Sequence, residues 1–152
     1  MRVIMLLLML LAIPPAWAQA PAGTTSQAPA GTTSQAPADS TAIQSVIGNQ
    51  IEAFRHDDAT SAFSLASPMI QGMFGTPENF LAMVAHGYPP VYRPGAVRFT
   101  DLVTIDGVLT QKVELLGPDG RAYLALYAME KQPDGTWKIN GCQLTESESV
   151  AA

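Results

Sequence analysis

The stretch VRFTDLVTIDGVLTQKVELLGPDGRAYLALYAMEKQPDGTWKINGCQL, residues 97–144, decides the fold. It contains four runs rich in β-branched, aromatic and aliphatic residues: Val97 to Ile105, Val108 to Leu116, Arg121 to Lys131 and Thr136 to Leu144. Each gap between them is a turn signal, namely Asp106-Gly107, Pro118-Asp119-Gly120 and Pro133-Asp134-Gly135. Gly and Asp tolerate the positive φ that tight turns require. Strands joined by so few residues run antiparallel, because a parallel pair needs a crossover of about a dozen residues or more. The expectation is a meander of four or more strands. The third run is apolar on both alternations, with Tyr123, Tyr127 and Met129 opposite in phase to Leu124, Leu126 and Ala128. It is therefore expected to be the most central strand.

Upstream, the hydrophobic period changes from two to that of a helix. Ile43, Val46, Ile47, Ile51 and Phe54 recur at helical spacing behind Thr41 and Gln44, a capping-box pair, and this first helix ends near His56. Asp57 or Asp58 caps a second helix through Ala62, Phe63 and Ala66, which Ser67-Pro68 ends. Met69 to Phe74 reads as a short strand or a turn. Thr76-Pro77-Glu78 starts a third helix with Phe80, Leu81 and Val84 on its buried face and Gly87 as its stop. Helices first and strands after give an α+β class: three N-terminal helices packed on one face of a curved antiparallel sheet, a cone-like α+β barrel.

The folded part is expected at 40–145 and the other segments are of different kinds. Arg2, the apolar run Val3 to Ile13, Pro14-Pro15 and Ala16-Trp17-Ala18 have the layout of a secretory signal peptide over 1–18. Eleven apolar residues are too few for a membrane span, which needs about 20. From Gln19 the unit Gln-Ala-Pro-Ala-Gly-Thr-Thr-Ser occurs twice, and a third copy decays at Asp39. Such a unit has no large side chain to offset the entropy of ordering, so 19–39 reads as a disordered tether and 146–152 as a disordered tail. The mature chain is expected in the periplasm or outside the cell, with no membrane span.

Composition excludes several function classes. The chain of 152 residues carries a net charge of −5, which argues against nucleic acid, since affinity for phosphates comes mainly from Lys and Arg. Within 40–145 there are 7 Lys and Arg against 10 Asp and Glu, so the acidity of the fold itself is mild. One Cys and two His leave no disulfide framework and no ordinary zinc ligand set. No phosphate loop, Cys-x-x-Cys or Ser-His-Asp spacing is present. No cofactor and no metal are expected.

Four segments carry a resemblance: Phe74-Gly75-x-Pro77, Gly87-Tyr88-Pro89-Pro90-Val91-Tyr92-Arg93-Pro94, Ala125-Leu126-Tyr127 and Gln132-Pro133-Asp134-Gly135-x-Trp137-x-Ile139-x-Gly141-Cys142. They resemble the bacterial "domain of unknown function 4864" family, over about Ile43 to Leu144. That family in turn looks like a member of the nuclear transport factor 2-like superfamily, whose members wrap a curved sheet around helices. The resemblance implies a fold and transfers no activity, because superfamily members include isomerases, dehydratases and non-catalytic binding domains.

Candidate site residues come from two places. Tyr88 to Pro94 holds three prolines and two tyrosines and reads as a stiff, extended connector. His86, Tyr88, Tyr92 and Arg93 are candidates for the mouth of the cone, against a purely structural role, with Tyr123 and Trp137 as further ligand-binding candidates. Asp101 is the candidate catalytic residue. Strict alternation puts it on the face of Phe99, Val103 and Ile105, where burial raises a carboxylate's pKa and fits it for general-base work. Tyr127 or Tyr123 is its candidate hydrogen-bonding partner. A β-bulge near Asp101 reverses this, turning it to solvent and Leu102 inward. Cys142 is a buried thiol or an intermolecular bridge. Three readings follow: an exported binding or accessory domain for an unknown small molecule or protein; an isomerase- or dehydratase-like enzyme using Asp101; or a homodimer through the open sheet face.

Overall fold

The computed structural model describes residues 35–148. The expected signal segment and the two complete repeats lie outside the described residues, as does the last part of the expected tail.

The first helix, α1, spans Gln35–Arg55. Ile43, Ile47, Ile51 and Phe54 form its buried stripe, as their spacing requires. The helix starts ahead of the expected boundary at residue 40. Thr41 is not its cap but a mid-helix residue whose hydroxyl donates to Pro37 O at 3.1 Å. The added turns are tied to the sheet: Asp39 Oδ1 accepts from Lys131 Nζ at 3.1 Å and from Trp137 Nε1 at 3.2 Å. Both contacts hold the Asp39 carboxyl below its usual range, the Trp137 bond more than the Lys131 bond.

Four short helices follow: α2 (Ala59–Ser64), α3 (Pro68–Phe74), α4 (Pro77–Gly87) and α5 (Pro89–Tyr92). Asp58 caps α2 by accepting from Ser61 N at 3.0 Å. Two of the five helices correct the sequence reading. α2 stops at Ser64, before the expected Ala66, and Ser67-Pro68 starts α3, because Ser67 Oγ accepts from Ile70 N and Pro68 sits in the first turn, where its missing N–H is no loss. Pro89 and Pro90 do the same for α5, so the connector is a helical turn rather than an extended strut, with Tyr92 N donating to Tyr88 O at 2.9 Å.

The strands are β1 (Ala96–Ile105), β2 (Val108–Leu116), β3 (Ala122–Lys131) and β4 (Trp137–Glu146). They form an antiparallel meander in the order β1-β2-β3-β4. The class is α+β, as expected. The sheet is open, with β1 and β4 as its two edges, so the expected barrel closure is absent among the described residues. β2 shares the central position with β3. The β1–β2 turn is Asp106-Gly107, with φ of 50° and 80°, the two left-handed residues of a tight hairpin.

One face of the sheet meets the helices. Val113, Leu115, Ala125, Tyr127, Met129 and Ile139 are buried there with Phe54, Phe80, Val84 and Val91 in one core. The helical layer is also tied by main chain to β4: Ile139 N donates to Leu65 O at 3.0 Å and Ser67 N donates to Ile139 O at 2.8 Å. The other face carries Lys112, Glu114, Leu124, Leu126 and Ala128, phased opposite to the buried set.

Candidate functional site

Between the helices and the inner sheet face lies a cavity of about 250 Å³. Its apolar wall comes from α1 (Phe54), α3 (Ile70, Met73, Phe74) and α4 (Phe80, Met83, Val84). Phe80 organises that wall. Its ring centroid lies 5.9 Å from Phe54, 5.6 Å from Phe63 and 5.6 Å from Phe74, the last nearly edge-on. These are the separations at which aromatic pairs attract. Met73 is 66% exposed and marks the mouth, and Tyr88 and Val91 close the side after α4.

The sheet supplies the floor. Tyr127 on β3 and Cys142 on β4 are directly opposite in register and line the cavity. Tyr127 is 1% exposed, and its hydroxyl, closed off from solvent, has no oxygen or nitrogen partner among the described residues and faces the Cys142 sulfur. The Cys142 thiol beside it is a poor substitute for an oxygen. Burial raises the Tyr127 hydroxyl well above its ordinary pKa and pushes the Cys142 thiol up to about 12. Both groups are protonated at neutral pH, so the floor carries no thiolate nucleophile. Gln50 is the third polar group: it commits Nε2 to Ala62 O at 3.1 Å and lines the cavity. No Asp, Glu, Lys, Arg or His is among the lining residues.

Asp101 stands elsewhere. The β1–β2 register shifts between Phe99 and Leu102, a β-bulge. Leu102 pairs with Gln111 and packs on the core, while Asp101 is exposed. Gln111 holds the bulge in place, its buried Nε2 lying within reach of Thr100 O (3.1 Å), Asp101 O (3.3 Å) and Lys112 O (2.9 Å). Strict alternation therefore fails at this point. The inward carboxylate that general-base chemistry needs is not there, and Asp101 and Tyr127 are not brought together.

The remaining candidates scatter. Tyr88 reaches the cavity. His86 is exposed, its Nδ1 2.7 Å from Ala82 O. Tyr92 and Arg93 both turn to Asp57, Tyr92 through its hydroxyl and Arg93 through Nη2 at 2.8 and 2.9 Å. The Tyr92 bond chiefly, with Arg93, holds the Asp57 carboxyl below its usual range. Tyr123 donates to Asp119 at 2.6 Å. Trp137 serves Asp39. These contacts clamp loops and helix ends rather than form one site. Sequence reading singled out Tyr127 for another role and missed the convergence of Gln50, Phe74 and Met83. The helical spacing of Phe54, Phe80 and Val84 was the usable signal.

Among curated proteins and solved structures, nothing matches the chain. No helix among the described residues is long and apolar enough to cross a membrane. A family model described as "Domain of unknown function (DUF4864)" matches residues 36–152. That span takes in α1 to β4 almost entirely, and the chain belongs to this family.

Proposed function

We propose that the chain is an exported, non-catalytic binding or accessory domain that takes a small molecule into the cavity between helices and sheet. The observation that carries this reading is the largely apolar cavity between helices and sheet, with no charged residue in its lining. Concave, largely apolar pockets with a few convergent polar groups are the usual form of small-molecule sites. Catalysis by proton transfer needs a titratable group in reach of the ligand, and the lining supplies none that titrates near neutrality. The exposed position of Asp101 weighs against the isomerase-like alternative. Export rests on the basic start, short apolar run and Ala16-Trp17-Ala18. Membership of the nuclear transport factor 2-like superfamily rests on helices preceding a meander. The test is native mass spectrometry of gently purified protein, read beside thermal-shift screening of small apolar compounds. A bound mass or a stabilising hit is expected, and neither appearing in any preparation sinks the reading.

Self-association through the outer sheet face is a second reading, resting on Leu124, Leu126 and Ala128, which no helix among the described residues covers. Light scattering that gives only monomer at high concentration removes it.

A further inference from the structure

Among the described residues, Gln111 Oε1, Tyr127 Oη and Gln132 Nε2 are buried polar atoms closed off from solvent, and none of them can receive a ligand. Gln50 differs. The residue is 2% exposed, and its Nε2 donates to Ala62 O at 3.1 Å, which fixes how the amide lies. Its Oε1 accepts no hydrogen bond among the described residues, yet it is not one of the closed-off atoms. It therefore keeps accessible surface. Gln50 lines the cavity and is otherwise buried, so that surface is cavity surface. The other polar side chains of the lining do not compete for this role: Tyr127 and Cys142 are turned to each other, and Tyr88 is half-buried. An amide oxygen carries lone pairs and no proton, so it pairs with a donor and repels a second acceptor. A ligand that fills the cavity cuts this oxygen off from water, and a buried acceptor left unpaired is costly. A hydroxyl or N–H on the ligand removes that cost, whereas a hydrocarbon or an ether does not. An ammonium group also donates, but no carboxylate lines the cavity, and burying an unpaired charge is heavily disfavoured. An engineered cavity of about 150 Å³ holds one benzene, and on that scale 250 Å³ holds about ten non-hydrogen atoms.

We infer that the site takes a neutral, largely apolar molecule of about ten non-hydrogen atoms bearing one hydroxyl or N–H, which donates a hydrogen bond to Gln50 Oε1. A phenol or an indole is the simplest molecule of this kind. Gln50 is then a ligand-binding residue and sets specificity for the donor over a hydrocarbon of the same shape. Phe54, Phe74 and Phe80 take the ring, and the flexible Met73 at the exposed mouth adapts to the ligand's far end. This inference rests on the binding-domain reading above.

Four probes of about that size separate the possibilities: 4-propylphenol (a donor), 4-propyltoluene (a methyl in the hydroxyl's place), 4-ethylanisole (an acceptor without a donor) and 3-phenylpropylammonium (a cation). Titrations use the full chain, with calorimetry or protein-observed NMR as the readout. In Gln50→Met the affinity ratio of 4-propylphenol to 4-propyltoluene is expected to fall about five- to tenfold, the worth of one hydrogen bond. Methionine keeps the length and removes the amide, so a general loosening moves both probes together and leaves their ratio alone. In the unsubstituted protein, nuclear Overhauser contacts are expected between the 4-propylphenol ring and the Gln50 side-chain amide protons, a readout that does not depend on the variant folding. An unchanged ratio, or bound 4-propylphenol without those contacts, overturns the Gln50 assignment and leaves the binding-domain reading standing. 4-Ethylanisole binding more tightly than 4-propylphenol overturns the donor requirement, and 3-phenylpropylammonium doing so overturns the neutral assignment. If none of the four binds while native mass spectrometry shows a bound mass, this inference falls alone. With no bound mass and no stabilising compound either, the binding-domain reading falls with it.

Discussion

Gln111 and Tyr127 stand directly opposite each other on β2 and β3, both turned to the helices, and each buries an oxygen that has no oxygen or nitrogen hydrogen-bond partner among the described residues. The two have different origins. Gln111 spends its amide on the carbonyls that the β1 bulge leaves without ladder partners, whereas Tyr127 lines a cavity. Gln111→Leu is isosteric enough to pack, yet it strips those carbonyls of their donor. A loss of about 1–3 kcal/mol is expected, the range for uncovering buried polar groups. Urea unfolding measures it, and an unchanged midpoint contradicts the stapling role.

Phe80 touches three other rings, so its removal opens the helical layer at its centre. Phe80→Ala should cost about 3–5 kcal/mol, the range for deleting a buried aromatic ring. Denaturant titration compared with Phe63→Ala, at a half-buried position, should show the larger loss at Phe80.

The Asp106-Gly107 turn places two consecutive residues in the left-handed region. Gly107→Ala is expected to destabilise by about 1 kcal/mol, because a Cβ there approaches the following carbonyl. Asp106→Gly should be close to neutral, since glycine removes the same conflict at Asp106. Thermal unfolding of the two variants tests the asymmetry.

Alkaline pH should weaken the fold through Cys142. Its thiol is pushed up to about 12 by burial, so an unfolded chain ionises it first. In the window from about pH 9 upward the unfolded state binds fewer protons than the native state, and stability falls as pH rises. Melting curves between pH 7 and pH 11 should show this decline, shallower in Cys142→Ala. In the native protein the thiol should also react slowly with a disulfide reagent at pH 8 and quickly once denaturant is added.

The meander was legible because its turns are written locally, in Gly and Asp residues that few other conformations call for. The extra helices were less so. Pro68 and Pro89 each follow a segment that stops, and a proline marks a stop and a first turn with the same residue. The face of Asp101 was undecidable by alternation, since one inserted residue sends every following side chain to the other face. At the site, Phe54 on α1 and Phe80 and Val84 on α4 were readable as buried, from the spacing within each helix. That they meet Tyr127 and Cys142 around a void depends on how two layers rest together, which no spacing within one segment encodes. The contrast between Tyr123 and Trp137 makes the same point. Tyr123 finds Asp119 four residues away, while Trp137 finds Asp39 across 98 residues.

The β1 bulge has a consequence beyond the site. β1 is an edge strand, and the opposite edge, β4, is engaged at Ile139 by main chain from the α2–α3 junction. An even, flat edge is a template onto which a strand from another molecule can add, the first step toward aggregation. The register break between Phe99 and Leu102 interrupts that template midway along β1, and it sets the exposed Asp101 carboxylate beside the gap. The residue that looked most like a catalyst thereby makes its edge a poor nucleus for polymer growth.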